Sequence, residues 1–172
     1  QAGIQLAGSK HVVENNLLVG GGQSHLVIGV GVELAIRRNI ALSQSRQTAW
    51  ITGDQLDRKL AAVDANLLWG GDEDPHVIGG GVELSWDVWQ ELGHDQRSVF
   101  ADPMFRAPQL DDYELFPQSL ALRLGFVPLE PGKAGCHAST ARRTWPIDDR
   151  TWREQHLLTI RAPSVGNGTR AP

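Results

Sequence analysis

The chain has 172 residues, a net charge of −4 and 41% hydrophobic residues, which is the size and composition of one folded domain with a sizeable core. It has no apolar run near the roughly 20 residues that a membrane-spanning helix needs. Its acidic balance lacks the clustered Lys and Arg with which nucleic-acid-binding proteins neutralise phosphates, and the single Cys136 allows no internal disulfide. We therefore expect neither a membrane span nor a nucleic-acid partner.

The chain begins with Gln1-Ala2-Gly3-Ile4, which has neither an initiator Met nor the basic and apolar regions of a signal peptide. This start predicts a piece of a longer protein. Residues 1–126 carry 9 Lys and Arg against 16 Asp and Glu, whereas residues 127–172 carry 7 against 4. The second segment has little helical or strand periodicity. We expect a folded body over 1–126 and an irregular basic tail over 127–172.

An internal repeat dominates the folded body. Residues 15–34 (NNLLVGGGQSHLVIGVGVEL) and 65–84 (ANLLWGGDEDPHVIGGGVEL) are identical at 12 of 20 positions. Within this repeat Asn16, Asn39 and Asn66 each precede a short apolar strand, at spacings of 23 and 27 residues. Units this short must stack to bury their apolar faces. Stacked Asn side chains can form a hydrogen-bonded ladder, so we interpret these three residues as structural.

A series of short motifs follows the second copy of the repeat. They are DANLLW (64–69), LSWDVWQ (84–90), GHDQRS (93–98), ADPMF (101–105), DYEL (112–115) and SLALRLGF (119–126). In order and spacing they resemble the right-handed parallel β-helix proteins of the pectate lyase-like superfamily, in particular those of the bacterial glycoside hydrolase type. Leu120 stands where that pattern has Pro, and Ala65 where it has Tyr.

The resemblance covers about residues 10–130 and implies a fold. It implies an all-β, right-handed parallel β-helix (solenoid) fragment with a C-terminal cap and an irregular tail, whose earlier coils belong to a missing N-terminal part of the parent chain. The cap would contain a short helix near Ser85 to Leu92 and a closing strand pair near 100 to 126. Trp86 and Trp89 would share one face of that helix and pack on the strands.

The resemblance also implies a function. It implies a secreted, periplasmic or cell-surface protein that binds a polysaccharide or oligosaccharide and hydrolyses glycosidic bonds without a cofactor. Two alternatives stay open. One is a uronate-cleaving polysaccharide lyase, in which Ca²⁺ would neutralise the sugar carboxylate, and the other is a non-catalytic β-helix scaffold or surface binding module.

The candidate catalytic residues are Glu14 and Asp64. Together with Arg37 they lie two residues before the repeated Asn, so stacking places them in one column with neighbours about 4.8 Å apart. The two carboxylates would then be on the order of 10 Å apart, slightly beyond the roughly 6.5–9.5 Å of inverting glycosidases. Arg37 would bind an acidic sugar or lower the carboxyl pKa values. The alternative is a salt-bridge ladder that holds stacked strands together.

Trp69 and His76 are the remaining candidate substrate-binding residues. Trp69 offers a flat apolar face for a sugar ring, and His76 lies in the loop that follows the Asp64 unit. That loop also contains acidic residues 72–74, whose oxygens suit Ca²⁺ but lack the alternate spacing of a dedicated calcium loop; the sequence leaves a metal undecided. His11, His25 and His94 show no zinc-binding spacing, and we expect them at the surface or in turns.

Overall fold

The computed structural model describes residues 2–43, 45, 47–70 and 74–130. Up to Leu129 they belong to one compact unit. From residue 131 on, the predicted tail lies outside the described residues. The strands are β1 (Ala2–Leu6), β2 (Val12–Glu14), β3 (Leu17–Val19), β4 (Ser24–Ile28), β5 (Leu34–Arg37), β6 (Ile40–Leu42), β7 (Ala49–Gly53), β8 (Leu60–Asp64), β9 (Leu67–Trp69), β10 (His76–Gly79), β11 (Val82–Ser85), β12 (Val99–Phe100), β13 (Phe105–Ala107) and β14 (Asp112–Leu115). The helices are α1 (Leu56–Lys59), α2 (Trp86–Glu91) and α3 (Leu120–Arg123), with a 3-10 turn at Pro108–Leu110.

Every third strand joins the same parallel sheet. The first sheet has the order β1-β4-β7-β10, the second β2-β5-β8 and the third β3-β6-β9-β12. Strand β11 adds to the edge of the first sheet antiparallel to β10. The expected predominance of β-structure is confirmed, and successive strands stack at the spacing of the repeat: Leu17 pairs with Ile40 and Ile40 with Leu67.

The repeated Asn residues form the predicted ladder at the corner between the second and third sheets. The Oδ1 of Asn39 accepts hydrogen bonds from the backbone N–H and the Nδ2 of Asn16, both at 3.0 Å. The Oδ1 of Asn66 accepts the same pair from Asn39, again at 3.0 Å. Residues 15, 38 and 65, which directly precede the ladder, have φ values of 57°, 52° and 58°. This left-handed backbone turns the chain from one sheet into the next.

A buried carboxylate terminates the ladder. Asp95 is fully buried, and its Oδ1 accepts from the Nδ2 of Asn66 at 2.9 Å and from the hydroxyl of Ser98. Its Oδ2 accepts from the indole N–H of Trp50 at 3.0 Å and of Trp89 at 2.9 Å. Four donors compensate the desolvation of this charge, so the GHDQRS motif closes the stack of strands at this end.

The C-terminal elements of the compact unit include a short helix and an antiparallel strand pair at the positions that the sequence predicts. Helix α2 begins after Ser85, whose side chain accepts from the backbone N–H of Val88, and β13 pairs antiparallel with β14. Trp89 is buried and Trp86 packs against the same core cluster. Further along, the Asn15 side chain donates to the carbonyl of Val127 at 2.9 Å and accepts from its N–H at 2.6 Å. This pair of bonds joins Val127, near the C-terminal end of the compact unit, to the corner after β2.

Candidate functional site

The hairpin of β10 and β11 presents one face to the core and the other to a cleft. Val77 pairs with Leu84 across the hairpin; Val77 is fully buried and Leu84 packs against the core. The flanking pairs are His76 with Ser85 and Ile78 with Glu83. Because side chains alternate along a strand, these four share the opposite face, where directly opposed Cβ atoms lie about 4.5–5.5 Å apart.

The cleft beside this face has a volume of about 820 Å³, which is within the range of small-molecule sites. Two aromatic rings, Trp86 and Phe100, take part in its walls. The lining residues are Gln47, Asp74, Pro75, His76, Ile78, Glu83, Ser85, Trp86, Asp87 and Phe100. The cleft therefore combines flat apolar surfaces with many hydrogen-bonding groups.

A small recess adjoins the cleft and brings Trp69 to it. The recess has a volume of about 20 Å³ and shares Asp74, Pro75, His76 and Phe100 with the cleft. The ring centroids of Trp69 and Phe100 are 5.8 Å apart, and Trp69 is 40% exposed. The structure thus brings together two of the predicted site residues, Trp69 and His76, around Phe100.

The cleft is acidic. Asp74, Glu83 and Asp87 are all exposed, and none of them forms an ion pair with a residue of the described ranges. The lining contains neither Lys nor Arg, and His76 is its one basic side chain. The local potential therefore favours a neutral or positively charged ligand.

The other three predicted site residues form the expected column on the second sheet, apart from the cleft. Glu14 pairs with Arg37, and Arg37 with Asp64. The Nε of Arg37 donates to Glu14 at 2.8 Å, and Arg38 forms a second ion pair with the same carboxylate. None of Glu14, Arg37 and Asp64 lines the cleft. Their roles in catalysis and substrate binding stay predictions.

Asp64 forms an ion pair with Arg97, a residue outside the predicted column. The side chain and backbone N–H of Arg97 donate to its two oxygens at 2.6 and 2.7 Å. Partial burial alone would raise the pKa of Asp64, but these hydrogen bonds and the guanidinium charge outweigh it and hold the pKa below its usual value. Asp64 is therefore a stable carboxylate, which suits an ion pair better than a general acid.

His25 corrects our expectation of a surface or turn position. Its ring is buried on β4, and its Nε2 lies 3.0 Å from the hydroxyl of Ser43. Burial lowers the pKa of His25 to about 4, so the ring is neutral at pH 7. No residue in the described part of the chain forms a hydrogen bond with its buried Nδ1. His25 and Ser43 both line the recess, whose volume is that of about one water molecule.

Sequence reasoning missed three polar residues of the cleft, Glu83, Ser85 and Asp87. Glu83 and Ser85 belong to the segment Val82–Ser85, whose alternation is the signal that could have found them. In the repeat this segment matches residues 32–35, so the repeat predicts another parallel strand here. Gly80 and Gly81 have φ values of 60° and 78°. Two consecutive positive φ values are typical of the tight turn of an antiparallel hairpin, and this turn exposes Glu83 and Ser85.

Comparisons with protein-family models, curated proteins and solved structures find no match for the chain. In the part that the structure describes, no group of three or more His, Cys, Asp and Glu side chains has an arrangement that could hold a metal ion; residues 72 and 73 of the predicted acidic loop lie outside this part. No helix among the described residues is long and apolar enough to cross a membrane.

Proposed function

We propose that this chain is the C-terminal part of a secreted or cell-surface right-handed parallel β-helix protein, and that its cleft binds an extended polysaccharide or oligosaccharide. Three parallel sheets built from every third strand and the continuous Asn ladder support the β-helix. The resemblance of residues 64–126 to pectate lyase-like proteins supports the same fold. Stacked strands of this kind present long, regular faces along which a linear glycan can lie.

The observation that carries the proposal is the aromatic lining of a large polar cleft. Trp86 and Phe100 line it together with Gln47, His76 and Ser85. Sugar rings have an apolar face that packs on aromatic rings and hydroxyls that form hydrogen bonds with polar side chains. Trp69, in contact with Phe100, extends the aromatic surface beyond the cleft. A volume of about 820 Å³ accommodates more than one sugar unit.

Glycoside hydrolysis is a second candidate activity. It needs one carboxylic acid to protonate the leaving oxygen and a second carboxylate to activate water or attack the sugar. Glu14 and Asp64 lie on strands separated only by β5, on the order of 10 Å apart. Their ion pairs with Arg37, Arg38 and Arg97 favour a different role, in which the charges hold the strands in register. A non-catalytic binding module accounts for that arrangement.

Calorimetric titration of the purified chain with a panel of neutral, amino and uronic oligosaccharides tests the binding. We expect Trp86→Ala to weaken the best ligand about two- to ten-fold, because one stacked ring is lost. Phe116→Ala is the matched control, since Phe116 is an aromatic residue 41% exposed and outside the cleft. Absence of binding by every glycan, or an equal loss in Phe116→Ala, contradicts the proposal.

Product analysis with the same panel separates the alternatives. Hydrolysis releases new reducing ends, whereas a lyase also forms an unsaturated sugar that absorbs in the ultraviolet. Asp64→Asn abolishes turnover if Asp64 is catalytic and leaves turnover intact if Asp64 only pairs with Arg97. Binding without turnover of any glycan identifies a binding module.

A further inference from the structure

The charge of the cleft indicates which class of glycan it takes. Three carboxylates, Asp74, Glu83 and Asp87, line it, and none of the other lining residues that the structure describes is a Lys or Arg. A uronic acid polymer would bring further negative charges against them. In the predicted column, by contrast, Glu14 and Asp64 have guanidinium partners. The chain thus neutralises the carboxylates that stack between its strands and leaves those of the cleft available to a ligand.

We propose that the cleft binds a glycan with free, protonated amino groups, in preference to its N-acetylated counterpart and to uronic acid glycans. This inference rests on the proposed function and names the substrate class of the same site. An ammonium group donates charge-assisted hydrogen bonds to carboxylates. The rings of Trp86 and Phe100 add to this preference, because the face of an aromatic ring attracts a cation.

The recess supplies an independent polar feature. His25, 1% exposed, is one of its lining residues, and its buried Nδ1 has no hydrogen-bond partner among the described residues. With the proton on Nε2, which then donates to Ser43, Nδ1 is an acceptor. The recess adjoins the acidic cleft through Asp74 and His76.

The test compares three oligosaccharide series of equal length by calorimetry at constant pH. They are glucosamine oligomers, the same oligomers fully N-acetylated, and galacturonic acid oligomers. We expect the amine series to bind tightest, and added salt to weaken that series alone, because salt screens interactions between exposed charges.

Two variants remove cleft carboxylates without changing their shape. We expect Glu83→Gln and Asp87→Asn each to weaken binding of the amine series by about 1.5- to 5-fold, the effect of one exposed ion pair, and to leave the N-acetylated series unchanged. Asp54→Asn is the matched control, because Asp54 is exposed, lies outside the cleft lining and changes the net charge equally.

Each of the other possible outcomes contradicts either the preference for amino glycans or glycan binding itself. Equal or tighter binding of the N-acetylated series, insensitive to Glu83→Gln, overturns the charge preference while glycan binding itself stands. Tightest binding of galacturonic acid oligomers also overturns it. An equal loss in Asp54→Asn identifies general attraction to an acidic protein and overturns it as well. Absence of binding by all three series contradicts the proposed function rather than the preference alone.

Discussion

The two copies of the repeat, residues 15–34 and 65–84, have similar sequences and different structures. In the first copy the chain leaves β4 and enters the second sheet at Leu34, the first residue of β5. In the second copy the matching segment, Val82–Ser85, folds back on β10 as an antiparallel strand. Glu33 has a φ of 59° in the connection before β5, whereas Glu83 lies in a strand and lines the cleft. The same Val-Glu-Leu sequence therefore takes its structure from what precedes it.

The preceding residue that differs is Val30 in the first copy and Gly80 in the second. Gly80 has a φ of 60°, a left-handed conformation that a β-branched residue rarely adopts. Val30 excludes the hairpin turn and is 75% exposed in a wider connection. The exchange of Val30 for Gly80 thus favours continuation of the stack in the first copy and closure of a hairpin in the second.

Adding a methyl group at matching glycines gives the largest expected difference between the copies. A Cβ on Gly31 would lie 1.8 Å from the carbonyl oxygen of Gly8, whereas one on Gly81 would meet nothing within 4 Å. We expect Gly31→Ala to lower the free energy of unfolding by about 3–5 kcal/mol, since backbone strain adds to a steric overlap. We expect Gly81→Ala to lower the free energy of unfolding by only about 1–2 kcal/mol, the cost of a side chain at a positive φ. Urea denaturation measures both, and equal losses would contradict this interpretation of the turns.

The same comparison shows how far the sequence predicts the fold. Repeat spacing correctly predicts the Asn ladder and the column of Glu14, Arg37 and Asp64, because both depend only on strands that stack in parallel. It fails at β10. The repeat aligns His76 with Leu26, yet Ile51 pairs with both Leu26 and Val77.

This shift by one residue exchanges the two faces of a strand. It turns His76 towards the cleft and Val77 into the core. Neither the shift nor the grouping of Asp74, Glu83 and Asp87 is predictable from residue spacing, because both depend on contacts between segments that are distant in the chain.

The two ends of the Asn ladder differ in burial, and this gives the second prediction. Asn66 is fully buried; its Oδ1 accepts two bonds from Asn39, and its Nδ2 donates to Asp95 and the carbonyl of Ile36. We expect Asn66→Ala to lower the free energy of unfolding by about 3 kcal/mol, because buried partners are left unsatisfied. Asn16 is only half-buried, so Asn16→Ala costs about 1 kcal/mol. Thermal and urea unfolding of the pair test the difference, and a larger loss for Asn16 would contradict it.

His25 in the first copy aligns with Pro75 in the second, so only the first copy has this titratable group. Burial lowers the pKa of His25 to about 4, below that of the unfolded chain, so its contribution to stability is complete above about pH 6.5 and is lost as the pH falls towards 4. Between pH 7 and pH 5 we expect this loss to be about 2 kcal/mol. His25→Leu should abolish it in urea titrations at the two pH values. An unchanged pH dependence in the variant would show that His25 is not the group responsible.

The carboxylates that precede the two copies give the smallest expected effect. The pKa of Asp64 is lowered despite partial burial, chiefly by hydrogen bonds from Arg97. Its stabilising contribution is therefore present above the usual Asp range of about 4 and is lost as the pH falls through the lowered pKa. Arg97→Gln should raise the carboxyl pKa of Asp64 in NMR titrations and cost less than about 1 kcal/mol.

Arg37→Gln is the matched control for this prediction. It leaves Glu14 paired with Arg38 and should not move the titration of Asp64. An unchanged Asp64 pKa in Arg97→Gln would contradict the role that we assign to Arg97.

The two hydrogen bonds between Asn15 and Val127 have a consequence for the order of folding. Successive parallel strands of each sheet pair with residues 22–32 positions away, so each layer can form soon after the one before it. The bonds of Asn15, in contrast, join residues 112 positions apart. Closing a long loop costs more entropy than closing a short one, and distant contacts slow folding. We therefore expect the strands to pair layer by layer. The contact between Asn15 and Val127 would form last, once the rest of the compact unit has folded.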